Sequence, residues 1–395
     1  HLFRFAHGLV QYRIHRATFR MAKDAEIEVS LLRALSGQEV AQVKVRVSDT
    51  ADVLQRAAAQ ELGVSYTAVV LLLGARTLEA REPLAAVGIE NGTTVYVMCR
   101  RGGLVISSAH DKFAKVWDVD SGQCVLTIKE LHRVNWSAVS PDGSLICTAS
   151  DDGIAKIWNA KSGDCVLTLT GHHDAVMSAT FSLDGKLLVT GSRDNTAIVW
   201  ETASGKCSQR LVGHSGSLRP ASFSEDGQRI VTGSEDCTAK VWLTKDGSNA
   251  MTLSGHTSAV FAARFSPDGR CILTGSFDGT AIVWSAETGE PLRTLVPHKA
   301  ESLCSVAFSP DGQSIMTCSP FDREVIVWST AKMERKASLP HPSNPSSAAW
   351  LPDGRTIVTG TCMGVVHVWS SQTGECTQTM KGHKGLVTSI SFAGM

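Results

Sequence analysis

The sequence predicts an all-β seven-bladed β-propeller over residues 102–395, preceded by a small α+β domain over 25–101. Three observations carry this: evenly spaced tryptophans, turn residues that cut each interval into four short strands, and a front segment in which a hairpin, a helix and two strands follow in order. Trp117, Trp158, Trp200, Trp242, Trp284, Trp328 and Trp369 lie 41, 42, 42, 42, 44 and 41 residues apart. A period of about 40–45 residues with four strands in each is the spacing of propeller blades.

Composition bounds what such a molecule does. The chain of 395 residues has 38 basic and 38 acidic side chains, so it carries no general field for nucleic acid or anionic lipid. Its longest apolar run, Ala68 to Leu73, is far below the roughly 20 residues of a membrane-spanning helix. Eleven cysteines, an odd number without any C-x-x-C pair, argue against a disulfide framework and a zinc site and point to a reducing compartment, cytoplasmic or nuclear.

Residues 1–24 are expected to be an unstructured or transit-like extension. Residues 1–20 hold four arginines, three histidines and no acid, and the first methionine is Met21. The stretch reads as an organellar transit peptide or as translated upstream sequence or a fragment end. Neither reading gives it a role in the fold.

From residue 25, Ile27, Val29 and Leu31 alternate with polar neighbours, Leu35-Ser36-Gly37 supplies a turn, and Val43, Val45 and Val47 resume the alternation, which is a hairpin. Ser48-Asp49-Thr50 then offers caps for a helix carrying Leu54, Ala58 and Leu62 on one face, ended by Gly63. Two more strands follow at Val69 to Leu73 and Thr94 to Met98, giving one small sheet around one helix. These turns, the Leu71-Leu72-Leu73-Gly74 stretch and the closing Arg100-Arg101-Gly102-Gly103 resemble ubiquitin. The resemblance implies a ubiquitin-like (β-grasp) domain whose apolar recognition patch falls on Leu35, Leu72 and Met98. Arg76 and Asn91 stand where ubiquitin has chain-building lysines, which implies a built-in binding module. Gly102 aligns without a gap with the turn glycine Gly143 of the next repeat, so the glycine pair is read as a turn and not as a processing site.

Each later interval repeats a Gly-His or its remnant, a strand ending near Phe-Ser, a Pro-Asp-Gly-type turn, a strand such as Ile272 to Ser276, an Asp-containing turn, and a strand ending in Trp. In motif order and period the segment resembles the WD-repeat family, although the Trp-Asp pair itself stands only at Trp117-Asp118. That resemblance implies a structural tetrad of loop histidine, strand hydroxyl, turn aspartate and tryptophan. Three blades are assigned it: His172, Ser192, Asp194, Trp200; His214, Ser234, Asp236, Trp242; and His256, Ser276, Asp278, Trp284. The Trp328 blade has Pro320 at the Ser position and the Trp369 blade Met363 at the Asp position, so both are expected to be softer. Recurrence at identical spacing makes these groups structural, since a hydrolase needs one such site. No histidine has a ligand-spaced partner for a metal, and neither metal nor cofactor is expected.

The first blade starts at its second strand, Leu104 to Ser108, and lacks its innermost one. The closing strand 386–392 is expected to supply it and remove two open edges, with Val95 to Met98 as the rival for that edge.

One face of such a ring is the expected partner-binding surface. Alignment puts Arg133, Asn135, Asp151, Met177, Arg193, Arg219, Glu235, Phe261, Phe277 and Phe321 there, with His110, Ser217, Cys304, Asn344, Cys362 and Leu386. The three phenylalanines, read as coming from adjacent blades, suit a hot spot, and Arg193 and Arg219 suit ion pairing. The resulting function is a non-enzymatic scaffold, a monomer within a larger complex, whose propeller holds a protein or peptide while the front domain engages ubiquitin, proteasome or ligase components. The alternatives are a subunit of an assembly unrelated to ubiquitin, and a propeller hydrolase using Asp151 or Glu235.

Overall fold

In the computed structural model the chain divides into two units, His1–Gly103 and Leu104–Met395. The structure describes residues 104–392 except 120, 297 and 299–301, and in the first unit 9–11, 26–32, 39–46, 49–51, 53, 54, 56, 69–73, 76–78, 83–87, 89 and 95–99. Leu35, Ala58, Leu62, Gly63, Asn91, Gly102 and most of residues 1–24 lie outside the described residues, and nothing is described of the side chains of Leu72 and Met98.

In the first unit Glu26–Leu32 pairs with Glu39–Arg46 as a two-stranded antiparallel hairpin. The other described strands form a separate sheet in the order Leu9–Gln11, Val95–Cys99, Val69–Leu73, Arg76–Leu78. Two expectations change. The single sheet around a helix is two sheets among the described residues, because Leu9–Gln11 occupies the edge of Val95–Cys99 that the hairpin would need. For the same reason part of residues 1–24 has a place in the fold. Val45, Ala51, Leu54, Leu84 and Ile89 are buried, and an isolated bridge joins Thr50 to Pro83.

The second unit is seven four-stranded antiparallel sheets, and we number the blades 1 to 7 by their tryptophans from Trp117 to Trp369. Blade 1 has the order Val387–Phe392, Leu104–Ala109, Phe113–Asp118, Cys124–Lys129, so the last strand of the chain is its innermost. Val95–Cys99 has both neighbours within its own unit and does not compete for that edge. A strand's place in its blade decides what it buries: second strands such as Leu187–Ser192 and Cys271–Ser276 are buried almost throughout, while outermost strands such as Cys207–Val212 expose most of their residues. Apolar residues of neighbouring blades share one cluster, as where Trp200 of blade 3 packs with Ile157 and Leu169 of blade 2. Each wedge is therefore stable only against its neighbours.

The tetrads are present, with one correction. In blade 3, Trp200 Nε1–H donates to Thr190 Oγ1 at 2.8 Å, Thr190 Oγ1 lies 2.8 Å from His172 Nε2, and His172 Nδ1 lies 2.9 Å from Asp194. Thr232 and Thr274 fill the same place in blades 4 and 5. The hydroxyl is thus a threonine two residues before the assigned Ser192, Ser234 and Ser276. Both residues share one face of the strand, but Trp200 pairs with Leu188, which puts Thr190 on the near diagonal and Ser192 one pleat too far. Ser192 instead donates to the Asp174 carbonyl and accepts from the Asp194 N–H. Burial lowers these histidines against the pull of their aspartates, which favours the neutral imidazole, and a threonine that donates to Nε2 leaves Nδ1–H to donate to the aspartate. A Cβ on Gly171, Gly255 or Gly382 would come within 2.9 Å of the tryptophan ring, which is why glycine precedes the histidine in those loops.

The other blades vary this theme. Blade 1 has a complete tetrad that spans the closing seam: Trp117 Nε1 and His383 Nε2 meet Ser107 Oγ at 2.7 and 2.8 Å, and His383 Nδ1 lies 3.0 Å from Asp111. Four blades, not three, therefore hold it intact. In blade 2 the buried Glu130 replaces the histidine, accepting from Thr148 Oγ1 at 2.7 Å and pairing with Lys156. In blade 6 Pro320 does not displace the serine. Ser319 keeps that place, Trp328 and His298 meet Thr317 at 3.0 and 3.1 Å, and one extra turn residue moves Asp322 to 3.3 Å from His298. Blade 7 lacks the carboxylate, and His341 Nδ1–H donates to the Leu339 carbonyl at 2.8 Å.

Candidate docking site at one end of the channel

The innermost strands share an irregularity that the sequence does not show. Six of the seven carry a β-bulge near their start, leaving Asn135, Met177, Arg219 with Pro220, Phe261, Ser346 and Thr388 unpaired in their ladders. A bulge re-aims the side chain it frees, and it accommodates Pro220, which has no N–H for a ladder. The neighbouring turns hold this end together: the N–H groups of His110, Asp151, Arg193, Glu235, Phe277 and Cys362 donate to the carbonyls of Leu386, Arg133, Ala175, Ser217, Ala259 and Asn344 at 2.9–3.1 Å. The residues aligned from sequence are thus equivalent positions at one mouth. Blade 6 departs, its Cys304 N–H donating to Cys318.

Around half of the ring the re-aimed side chains fasten blade to blade. Ser346 of blade 7 donates to the Val387 carbonyl of blade 1 at 2.5 Å, Thr388 of blade 1 to Val134 of blade 2 at 2.7 Å, and Asn135 of blade 2 to Val176 of blade 3 at 3.1 Å. Cys304 of blade 6 makes the same bond weakly to Pro345 of blade 7, at 3.8 Å. Blades 3, 4 and 5 have Met177, Arg219 and Phe261 at this position, and these make no such bond.

Two of them build something else. The Phe261 and Phe277 rings stack with centroids 3.7 Å apart, and the Arg219 guanidinium lies 4.4 Å from the Phe261 centroid. Glu235 approaches Arg219 at 3.9 Å. Phe261 and Phe277 both belong to blade 5, so the aromatic residues do not come from three adjacent blades; Phe321 of blade 6 is exposed and, among the described residues, has no ring contact with the stack. Phe277 is 44% exposed, so part of the stack faces solvent. Met177 and Asn135 are buried, and Asn135 also donates to Asp151 at 2.8 Å.

The mouth is cationic on this side. His110 is held below the usual histidine range by burial first and then by Arg133, with Arg193 and Arg219 adding to it against Asp151. Burial also lowers Arg219, and Arg193 pushes the same way against Glu235. Arg133 and Arg193 are exposed, and Arg323 donates to Asn344 at 3.2 Å. Neither acid has a catalytic arrangement: Asp151 accepts from Asn135 and Glu235 faces Arg219. Among the described residues no three metal-ligating side chains converge, and no helix is long and apolar enough to cross a membrane.

Comparison with known families agrees with this architecture. Residues 217–395 are similar to the family described as the IFT122 first beta-propeller, and residues 122–159 and 163–201 each match the WD domain, G-beta repeat. No curated protein matches the chain. The molecule contains a seven-bladed WD40- and IFT122-like β-propeller, a fold that suits a protein-interaction scaffold.

Proposed function

We propose that the protein is a non-enzymatic interaction scaffold whose channel mouth over blades 3 to 5 docks an acidic peptide segment carrying an apolar side chain. One observation carries this reading: the position that fastens neighbouring blades elsewhere holds Arg219 and Phe261 here, stacked and partly open to solvent. Arg193 and Arg219 supply charge for Asp or Glu, and the Phe261–Phe277 stack supplies an aromatic anchor of the type that dominates binding energy. Selection of a random peptide library on the full chain tests it. Enriched peptides combine acidic residues with Leu or Phe and lose at least about tenfold in affinity on Phe277→Ala or Arg219→Glu, the size of a hot-spot truncation. Enrichment of basic peptides, or affinities unmoved by either change, contradicts the reading.

A second reading adds docking of the front unit to ubiquitin-handling machinery, supported by the sequence likeness of residues 25–101 to ubiquitin and by the hairpin Glu26–Leu32 with Glu39–Arg46. Co-purification of proteasome or ligase subunits, lost on Leu72→Ala with Met98→Ala, supports it; recovery without such subunits leaves the scaffold independent of ubiquitin. A reducing compartment, cytoplasmic or nuclear, suits the cysteines, of which the ten from Cys124 to Cys376 are free.

A further inference from the structure

The opposite ends of the same innermost strands close around a different environment. A cavity of about 140 Å³ there is walled by Trp136, Phe181, Phe223, Phe265 and Phe392, with Arg264 in its lining. Arg264 stands on blade 5, yet its guanidinium lies 5.6 Å from the ring of Trp136 on blade 2, so the side chain bars the channel from one side to the other. Among the described residues Arg264 has no hydrogen-bond acceptor and no carboxylate within ion-pair distance. Arg264 is half-buried, and the loss of hydration lowers its pKa to about 10, which leaves it a cation at neutral pH. The Thr180 hydroxyl, in the same lining, is buried without a hydrogen-bond partner.

Because Arg264 is half-buried with no carboxylate partner, an anion arriving from outside meets a cation in a partly apolar setting without displacing an existing ion pair. Guanidinium geometry favours a planar carboxylate held by two parallel N–H groups. The walls are aromatic, so the rest of the ligand is apolar. The space is close to that of an engineered cavity of about 150 Å³ that admits benzene, which suits a small ligand. Glu225 lines the rim, its carboxyl pushed up by partial burial, and acts against a second negative charge.

We propose that this end of the channel is a binding site for one carboxylate on a small apolar body, held by Arg264 against Trp136 and the phenylalanine walls. The carboxylate comes from a free organic acid or from the C-terminal residue of a peptide; the site is separate from the docking mouth and does not rest on its function.

The test titrates the full chain with benzoate and with benzyl alcohol, following the Trp136 indole N–H signal by NMR. Benzoate binds at least about tenfold tighter than benzyl alcohol, as expected for a charge-assisted pair, and Arg264→Met removes that difference while leaving benzyl alcohol unchanged. Glu225→Gln, a change at the exposed rim, tightens benzoate several-fold and keeps the test decisive if Arg264→Met does not fold. Acetyl-Ala-Ala-Val with a free carboxylate, against its amide, identifies the source: selective binding of the acid form supports a chain terminus, and binding of benzoate alone supports a free acid. Equal affinity for benzoate and benzyl alcohol, or benzoate binding unmoved by Arg264→Met and Glu225→Gln, overturns the proposal.

Discussion

Blades 3 to 5 and the arc running from blade 6 through blades 7 and 1 to blade 2 are held in place differently. The first three have complete His–Thr–Asp–Trp tetrads, while their bulge residues Met177, Arg219 and Phe261 make no bond to the next blade. In the second arc the tetrad is altered in blades 2, 6 and 7, and there the bulge residues Asn135 and Ser346, and Cys304 just before the unbulged strand of blade 6, reach the adjoining carbonyl. Blade 1, which carries the seam, has both devices. A blade stiffened internally can release its channel position for another use, and the released positions are those that build the aromatic and cationic mouth.

Changes that break this contrast differ in size. Removing residues 383–395 has the largest expected effect, because it deletes the innermost strand of blade 1 together with His383, opening two sheet edges; chemical denaturation then shows no single cooperative transition. Next comes Thr232→Val, which strands both Trp242 Nε1 and His214 Nε2. At about 1–3 kcal/mol for each unsatisfied group, it costs about 2–6 kcal/mol by urea unfolding, whereas Ser234→Ala costs about 1 kcal/mol.

Acid acts on both arcs, since burial lowers the tetrad histidines His172, His214 and His256 as well as His341, but only the tetrad histidines have an aspartate pulling the other way. Burial alone would raise Asp194 and Asp236, but hydrogen bonds from Thr196 and Thr238, from the tetrad histidines and from loop N–H groups outweigh it and hold both near about 2. Their contribution is complete above the unfolded carboxylate value of about 3.9 and is lost only as pH falls toward 2. His341, with no carboxylate, is lowered by burial to about 4. Its unfolded form takes up a proton near pH 6.5 and the folded form does not, so its contribution is complete above 6.5 and declines as pH falls toward 4. The expected loss between pH 7 and pH 5 is about 2 kcal/mol. Hydrogen exchange at both pH values reads it as lost protection at Thr356–Thr361 and Val365–Ser370. Met363→Asp, which returns the carboxylate to blade 7, reduces that loss; an unchanged pH profile contradicts the assignment.

The smallest effects test the fastening bonds. Thr388→Val leaves the Val134 carbonyl without its donor and costs about 1–2 kcal/mol. Arg219→Ala removes only a partly exposed ion pair and a ring contact, and costs under about 1 kcal/mol. Equal costs would remove the distinction between the arcs.

The period, the strand count and the closing strand were legible in the sequence because each is a repeat or the remainder of one. The tetrad hydroxyl was not, since Thr190 and Ser192 share a strand face and only the diagonal reach of Trp200 separates them. The seam tetrad escaped notice because Ser107 and His383 are 276 residues apart, and Glu130 because a carboxylate stands where a histidine recurs. The mouth was legible as positions but not as a site: bulges leave no mark in hydrophobic alternation, so the sequence placed Met177 and Asn135 on a surface where the structure buries them. Arg264 is the one charged residue of the strand Val260–Phe265, and only the closed ring brings it to Trp136.

Hydrogen exchange of the full chain with and without a saturating acidic peptide from the library tests the docking claim most directly. The account predicts new protection at residues 177, 219, 261 and 277 and none at 304, 346 and 388. Protection spread evenly round the ring, or confined to the second arc, would contradict it.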